Sequence, residues 1–307
     1  MNEGALELTL AWLDESYAVP LLTALVVTLT AFSAAWRRSV RRVHEATAPR
    51  HWLIDGAHRL IAVHDRVYSA IAGHHPQRRI WHCQWLPVKD LYRDLGRRLP
   101  TFTHRVADVG CMGKPYAIWL TNATLHFGLD VTPGPSVDLV VREGEPWAIA
   151  SESFDAAICT QVMQVAKNPE HLLAELERIL VPGGHALITA PFAYHDMTFT
   201  FENRVHEDYW RYSFYGLQQA VGENFEIVEC WRQGGFGSVA GSMILNWVRI
   251  SLTRRLETHL LFIALAPAWL LFCVLVNVSG WLLDKIDCTG AFYQNSVVVV
   301  RKKPVSA

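Results

Sequence analysis

A short apolar run, residues 105–110 ("RVADVG"), ends in glycine and leads into the loop Gly110-Cys111-Met112-Gly113-Lys114-Pro115. Glycine at a strand end reaches backbone angles closed to other residues and lets a ligand approach the main chain. A nucleotide bound across a strand end needs both. Asp108 stands just before the loop, and Asp130 lies near the end of the next apolar run, residues 125–131. A carboxylate in that place can accept hydrogen bonds from both hydroxyls of a ribose. The loop does not have the G-x-G-x-x-G spacing of a dinucleotide site, and Met112 stands where bare backbone is expected.

Other chemistries are poorly served. The six cysteines are scattered with no C-x-x-C pair, and the 14 histidines include no H-E-x-x-H. No metal site is expected. A formal net charge of −1 gives no electrostatic case for nucleic acid.

The loop has to be positioned by the elements around it. Apolar runs at 105–110, 125–131, 137–141, 154–162, 185–192, 225–231 and 295–303 read as strands buried on both faces. Between the fourth and fifth lies a helix pattern, with Asn168 as N-cap and Pro169 at the first helical position. Leu172, Leu173, Leu176, Ile179 and Leu180 form its apolar face, and Pro182-Gly183-Gly184 is expected to end it. The alternation predicts an α/β fold with a doubly wound, Rossmann-like sheet. Upstream, residues 51–73 carry apolar residues at helical spacing (Leu53, Ile54, Leu60, Ile61, Val67, Ile71), which predicts an amphipathic helix, and 88–100 reads as a second short helix.

Two stretches are more apolar than a soluble enzyme requires. Residues 18–36 carry no charge and are succeeded by Arg37, Arg38, Arg41 and Arg42. That length suits a transmembrane helix, and the basic flank places the downstream domain in the cytoplasm. Residues 260–283 also lack charge, inside an insertion at 236–290 between the last two strands. Those strands belong to one sheet, so the insertion cannot cross a bilayer once. A helical hairpin, broken at Pro267 and dipping into one leaflet, is the expected form, with a homodimer contact or a cover for the sheet as the other use of such a surface. The organisation is then an anchor (1–42), a helical linker (43–104), the main domain (105–235), the insertion (236–290) and the final strand with its tail (291–307).

The segments "VADVGCMGKPY", "GLDV", "ESFDAAICTQVMQVAKNPEHLLAELERILVPGGHALITAPF" and "HEDYWRYSFYGL" together resemble class I S-adenosylmethionine-dependent methyltransferases of the type 11 group. The resemblance covers about residues 100–235 and resumes at the final strand. It implies a seven-stranded methyltransferase sheet ending in an antiparallel hairpin, with S-adenosylmethionine as cofactor. Carried over by position, Asp108, Gly110, Cys111 and Gly113 form the first cofactor motif, and Asp130 is the ribose acid. Glu143 lies where an acid often approaches the adenine amino group, and Gln161 comes after the fourth strand and lines the pocket. Two departures stand out. Met112 replaces the usual second loop glycine, and Met163-Gln164-Val165 replaces a leucine-glutamate-histidine run.

Methyl transfer is an in-line displacement that depends on alignment and exclusion of water. An alcohol acceptor also benefits from a general base. His206 is the first candidate, with Asp208 and His195 beside it in sequence; Tyr209, Trp210 and Tyr212 are expected to cover the substrate. The membrane features point to an acceptor held in the lipid bilayer, such as a lipid-linked saccharide, with the catalytic domain on the cytoplasmic face of a membrane of the bacterial inner-membrane type. An inactive methyltransferase-like scaffold and a Rossmann-type oxidoreductase are the alternatives.

Overall fold

The computed structural model describes residues 51–199 and 207–304. The chain divides into two compact units, Met1–Leu60 and Ile61–Ala307. Of the first, only the opening turns of helix α1 (His51–Ala72) are described. The expected membrane helix at 18–36, with its arginine flank, lies outside the described residues, as does His206.

In the second unit seven strands form one sheet in the order β3-β2-β1-β4-β5-β7-β6. They are β1 (His104–Val109), β2 (Ala123–Asp130), β3 (Leu139–Val140), β4 (Phe154–Thr160), β5 (Leu180–Pro191), β6 (Phe225–Gln233) and β7 (Asn295–Lys302). The first five run parallel, while β7 is antiparallel to both β5 and β6. Sequence order reverses at β1 and β4, so a crevice opens beyond their C-terminal ends, where open α/β sheets bind ligands.

One face of the sheet packs against α3 (Pro169–Ile179) and α4 (Phe214–Gly222), with Leu173, Leu176, Ile179, Leu217 and Val221 buried against Ala107, Val109 and Ile188. The other face is covered by α2 (Trp85–Arg98) and the turn Pro115–Trp119, through Leu91, Leu95, Leu99 and Tyr116 against Val106 and Ile158. Each fully buried leucine contributes about 1.5–3 kcal/mol relative to exposure. Asn168 caps α3, its side chain accepting the His171 N–H at 3.0 Å. The helix stops at Ile179, earlier than Pro182. Leu180 already pairs with Phe154, and residues 181–184 form an irregularity before pairing resumes at His185. The Pro-Gly-Gly run therefore shapes a strand rather than ending the helix.

The insertion is three helices: α5 (Phe236–Thr253), α6 (Leu256–Ala264) and α7 (Ala266–Ile286). The break before α7 falls at Leu265, and Pro267 occupies the first turn, where its missing N–H costs nothing. Helices α5 and α7 meet through small residues. A Cβ on Gly237 would lie 2.0 Å from the Gly280 carbonyl oxygen. Ser238 donates to Asp284 at 2.5 Å, and Asn277 donates to the Ile80 and His82 carbonyls at 2.7 and 3.0 Å. The hairpin is thus strapped along α2 and the 80–84 loop. Its outer surface leaves Ile244, Trp247, Leu271, Leu275, Leu282 and Ile286 exposed. Helix α1 forms where the helical spacing predicts it; Val67 and Ile71 of its apolar residues are exposed, and Tyr68 is the side chain that packs inward.

Candidate active site

Gly110 ends β1 at φ +71°, and a Cβ there would stand 2.3 Å from Val162 Cγ2. Its N–H and that of Cys111 both donate to the Leu129 carbonyl, at 2.8 and 3.0 Å. The loop is therefore folded over the end of β2. Cys111 turns inward: its thiol is buried, and burial pushes its pKa up to about 12. It shapes the loop and presents no thiol to a ligand. Met112 takes φ +45° and is 66% exposed. Nothing lies within 4 Å of the Cβ position of Gly113.

Asp130 is the centre of this arrangement. Its two carboxylate oxygens accept the Met112 N–H and the Thr132 N–H, each at 2.9 Å. Each oxygen keeps a further lone pair. Asp108 is buried and pairs with His126 Nε2 at 2.8 Å. Burial holds its carboxyl above the usual carboxylate range, while His126 and Lys114 pull it back. The sequence candidates do not include His126, yet strand alternation places it on the face of β2 that carries Asp130. Between them, Gly128 has no room for a side chain: a Cβ would be 2.6 Å from both Cys111 Sγ and Lys114 Cε. Lys114 donates to the His126 carbonyl at 2.8 Å and to Asp138 at 2.5 Å. Asp138 also accepts the Gly128 N–H at 2.7 Å.

Glu143 comes after β3 and is exposed, with Oε1 3.5 Å from the Lys167 N–H. Gln161 comes after β4 at φ +59°, a strained angle for a non-glycine residue. Its amide donates to Thr189 Oγ1 at 3.2 Å and Asn295 Oδ1 at 3.3 Å, away from the glycine loop. Gln164 is fully buried. Its main-chain carbonyl accepts the Tyr209 and Trp210 N–H groups at 2.8 and 3.0 Å. Two buried polar atoms at this strand end, Thr160 Oγ1 and Gln164 Oε1, have no partner. Unpaired buried acceptors are costly, and a ligand that donates to them relieves the cost.

On the acceptor side, Asp208 is held rather than free. Its side chain is 1% exposed. Arg211 grips both of its oxygens, and it also accepts the Met197 N–H at 2.8 Å. This ion pair positions the loop after β5 and leaves Asp208 poorly placed as a base, contrary to the sequence expectation. His195 differs: neither of its buried ring nitrogens has a partner. Burial first, then Arg249 and Arg211, lowers its pKa to about 4. Tyr209 and Trp210 rim the β4 loop half-exposed, with Trp210 Nε1 donating to the Ala166 carbonyl at 2.9 Å. Tyr212 instead packs on the main core. A separate cavity of about 320 Å³ lies at the other end of the strands, among Arg98, Phe102, Asp155, His185 and Glu229. That end does not bind ligands in open α/β sheets. Among the described residues no cluster of His, Cys, Asp and Glu is suited to a metal ion.

Residues 107–188 match the family model described as a methyltransferase domain, of the type 11 group. No curated protein matches the chain. An S-adenosylmethionine dependent methyltransferase from Mesorhizobium loti superposes with TM-score 0.42 at 15% identity, over 71% of this chain and 100% of that one. A phosphoethanolamine N-methyltransferase 2 from Haemonchus contortus, in complex with S-adenosyl-L-methionine, gives 0.43 at 18% identity, over 73% and 56%. A SAM dependent methyltransferase from Aquifex aeolicus gives 0.35 at 14%, over 48% and 86%. The matched segment spans β1 to β5, the strands around the crevice. The protein is an enzyme, a methyltransferase whose cofactor is S-adenosylmethionine.

Proposed function

We propose that the enzyme methylates an acceptor held in a membrane, with its catalytic crevice on the cytoplasmic side. The observation that carries this reading is helix α7. It is 21 residues long with a mean hydropathy of 1.8, and only 22% of its apolar window is buried. A core helix of a soluble protein would be mostly covered. Helix α7 lies between β6 and β7, which pair along their length, and a single crossing would separate them. The hairpin α5–α7 therefore enters and leaves one face of the bilayer, lying in the interface. The apolar run at 18–36 would supply a second anchor.

S-adenosylmethionine supplies an electrophilic methyl group on a sulfonium. Asp130 would hold the ribose through the lone pairs left after Met112 and Thr132, and Glu143 the adenine edge. The backbone of Gly110 and Gly113 would lie against the methionine end, near Asp108. The acceptor hydroxyl would form the new C–O bond as the C–S bond breaks, and its proton must leave. His195, neutral at physiological pH with both ring nitrogens unpartnered, is the base that the described residues offer. A lipid-linked saccharide fits this reading best. The test is transfer of a radiolabelled methyl group from S-adenosylmethionine into an organic extract of membranes incubated with the full chain. Label in the lipid phase that is absent with Asp130→Ala supports the reading; label confined to water-soluble material would reject the membrane acceptor.

A further inference from the structure

Three segments converge between the crevice and the apolar hairpin. Tyr194, after β5, donates to Gln84, and Gln84 donates to Asn246 on α5. The backbone N–H of Gln84 also donates to His82 Nδ1 at 2.9 Å. Two arginines stand at this junction: Arg78 at the start of the 78–84 loop and Arg249 one turn beyond Asn246. The Nε of each is buried without a hydrogen-bond partner. Neither forms an ion pair among the described residues. Both lie close enough to hold down the protonation of His82, and Arg249 acts likewise on His195. The carboxylates of the adjoining segments are already engaged: Asp208 by Arg211, Asp284 by Lys89 and Ser238, and Asp196 by the Thr198 N–H. Two partly buried guanidinium groups without a counter-ion are costly unless an anion joins them. Planar arginine forks with a neighbouring imidazole suit the oxygens of a phosphate. Trp247 and Ile244 are exposed on the face of α5 opposite Arg249, so the arginine junction lies on the side of that helix turned to the protein.

Resting on the membrane-acceptor reading, we infer that Arg78 and Arg249 bind the phosphate or diphosphate of the acceptor, whose hydrocarbon chain extends into the bilayer. This sets the substrate class as a phosphate-bearing amphiphile and separates the acceptor's anchor point from the cofactor crevice.

The test uses the full chain in detergent, titrated with inorganic pyrophosphate. Its binding to phosphatidylcholine vesicles is then compared with and without a long-chain isoprenyl diphosphate. S-adenosylhomocysteine is titrated in parallel. Pyrophosphate should bind the wild type and weaken about tenfold in Arg78→Gln and in Arg249→Gln. Arg249→Lys should lose less, and S-adenosylhomocysteine affinity should hold in all three, which also shows them folded. Vesicle binding should rise with the isoprenyl diphosphate. Pyrophosphate binding with no preference for the lipid would uphold the anion site and reject the lipid as its source. A wild type that binds S-adenosylhomocysteine but neither phosphate probe overturns the site while sparing the methyltransferase reading. A preference for isoprenyl diphosphate vesicles that survives both Gln substitutions overturns the residue assignment.

Discussion

Replacing Gly110 by alanine is predicted to destabilise the domain by about 2–5 kcal/mol. The residue sits at φ +71°, a left-handed conformation that costs an L-residue about 1–2 kcal/mol. The added methyl would lie 2.3 Å from Val162 Cγ2. Valine is stiff at χ1 and cannot swing aside, and overpacking of that kind costs about 1–3 kcal/mol. The two contributions separate by experiment. Val162→Ala removes the clash but not the backbone strain, so Gly110→Ala should cost about 1–3 kcal/mol less in the Val162→Ala background than in the wild type. The assay is equilibrium urea unfolding of the four proteins of the cycle. A Gly110→Ala protein within about 0.5 kcal/mol of wild type, or strict additivity in the cycle, would refute the packing argument for this loop.

Asp208→Ala leaves Arg211 facing an emptied site and should cost about 3–5 kcal/mol, as breaking a buried ion pair does; unchanged urea unfolding would show that the pair does not organise the loop. Gly280→Ala, whose methyl would meet the Gly237 carbonyl at 2.8 Å and Leu86 Cδ1 at 2.8 Å, should separate α5 from α7 and lower the thermal midpoint by several degrees; an unaltered midpoint contradicts the close crossing. His82 and His195 have pKa values lowered by burial to about 3 and about 4. The unfolded chain therefore takes up protons first on acidification. Stability is full above about pH 6.5 and falls as pH drops toward 4. Urea midpoints that do not change between neutral pH and pH 5 would count against both burials.

Much of this architecture can be read from residue types. The strand runs, the Asn168 cap and the turn before Pro267 each rest on local chemistry that the tertiary structure keeps. Where local signals mislead, tertiary pairing decides: Leu180 joins β5 because it pairs with Phe154, and Pro-Gly-Gly then serves a strand irregularity. Val67 and Ile71 have the spacing of an apolar helix face and stay exposed, because spacing tells that a face is apolar and not what covers it. In the site, Gly110 and Asp130 are visible from their position at strand ends. Lys114's partner Asp138 and the orphan oxygens of Thr160 and Gln164 depend on register between strands, which a single sequence does not state. Asp208 looks like a base because carboxylates can be; only its bidentate pairing with Arg211 shows it committed elsewhere. His126 is within reach of sequence reasoning, since alternation from Asp130 puts it opposite β1 beside Asp108.

The central claim is that this modified loop binds S-adenosylmethionine through Asp130. Calorimetric titration of S-adenosylmethionine and S-adenosylhomocysteine into the full chain, with Asp130→Ala beside it, tests that most directly. Two charge-assisted hydrogen bonds from ribose hydroxyls are together worth about 3 kcal/mol or more, so binding should weaken at least about a hundredfold in the variant. Equal binding by both proteins, or none by a folded wild type, would contradict the account.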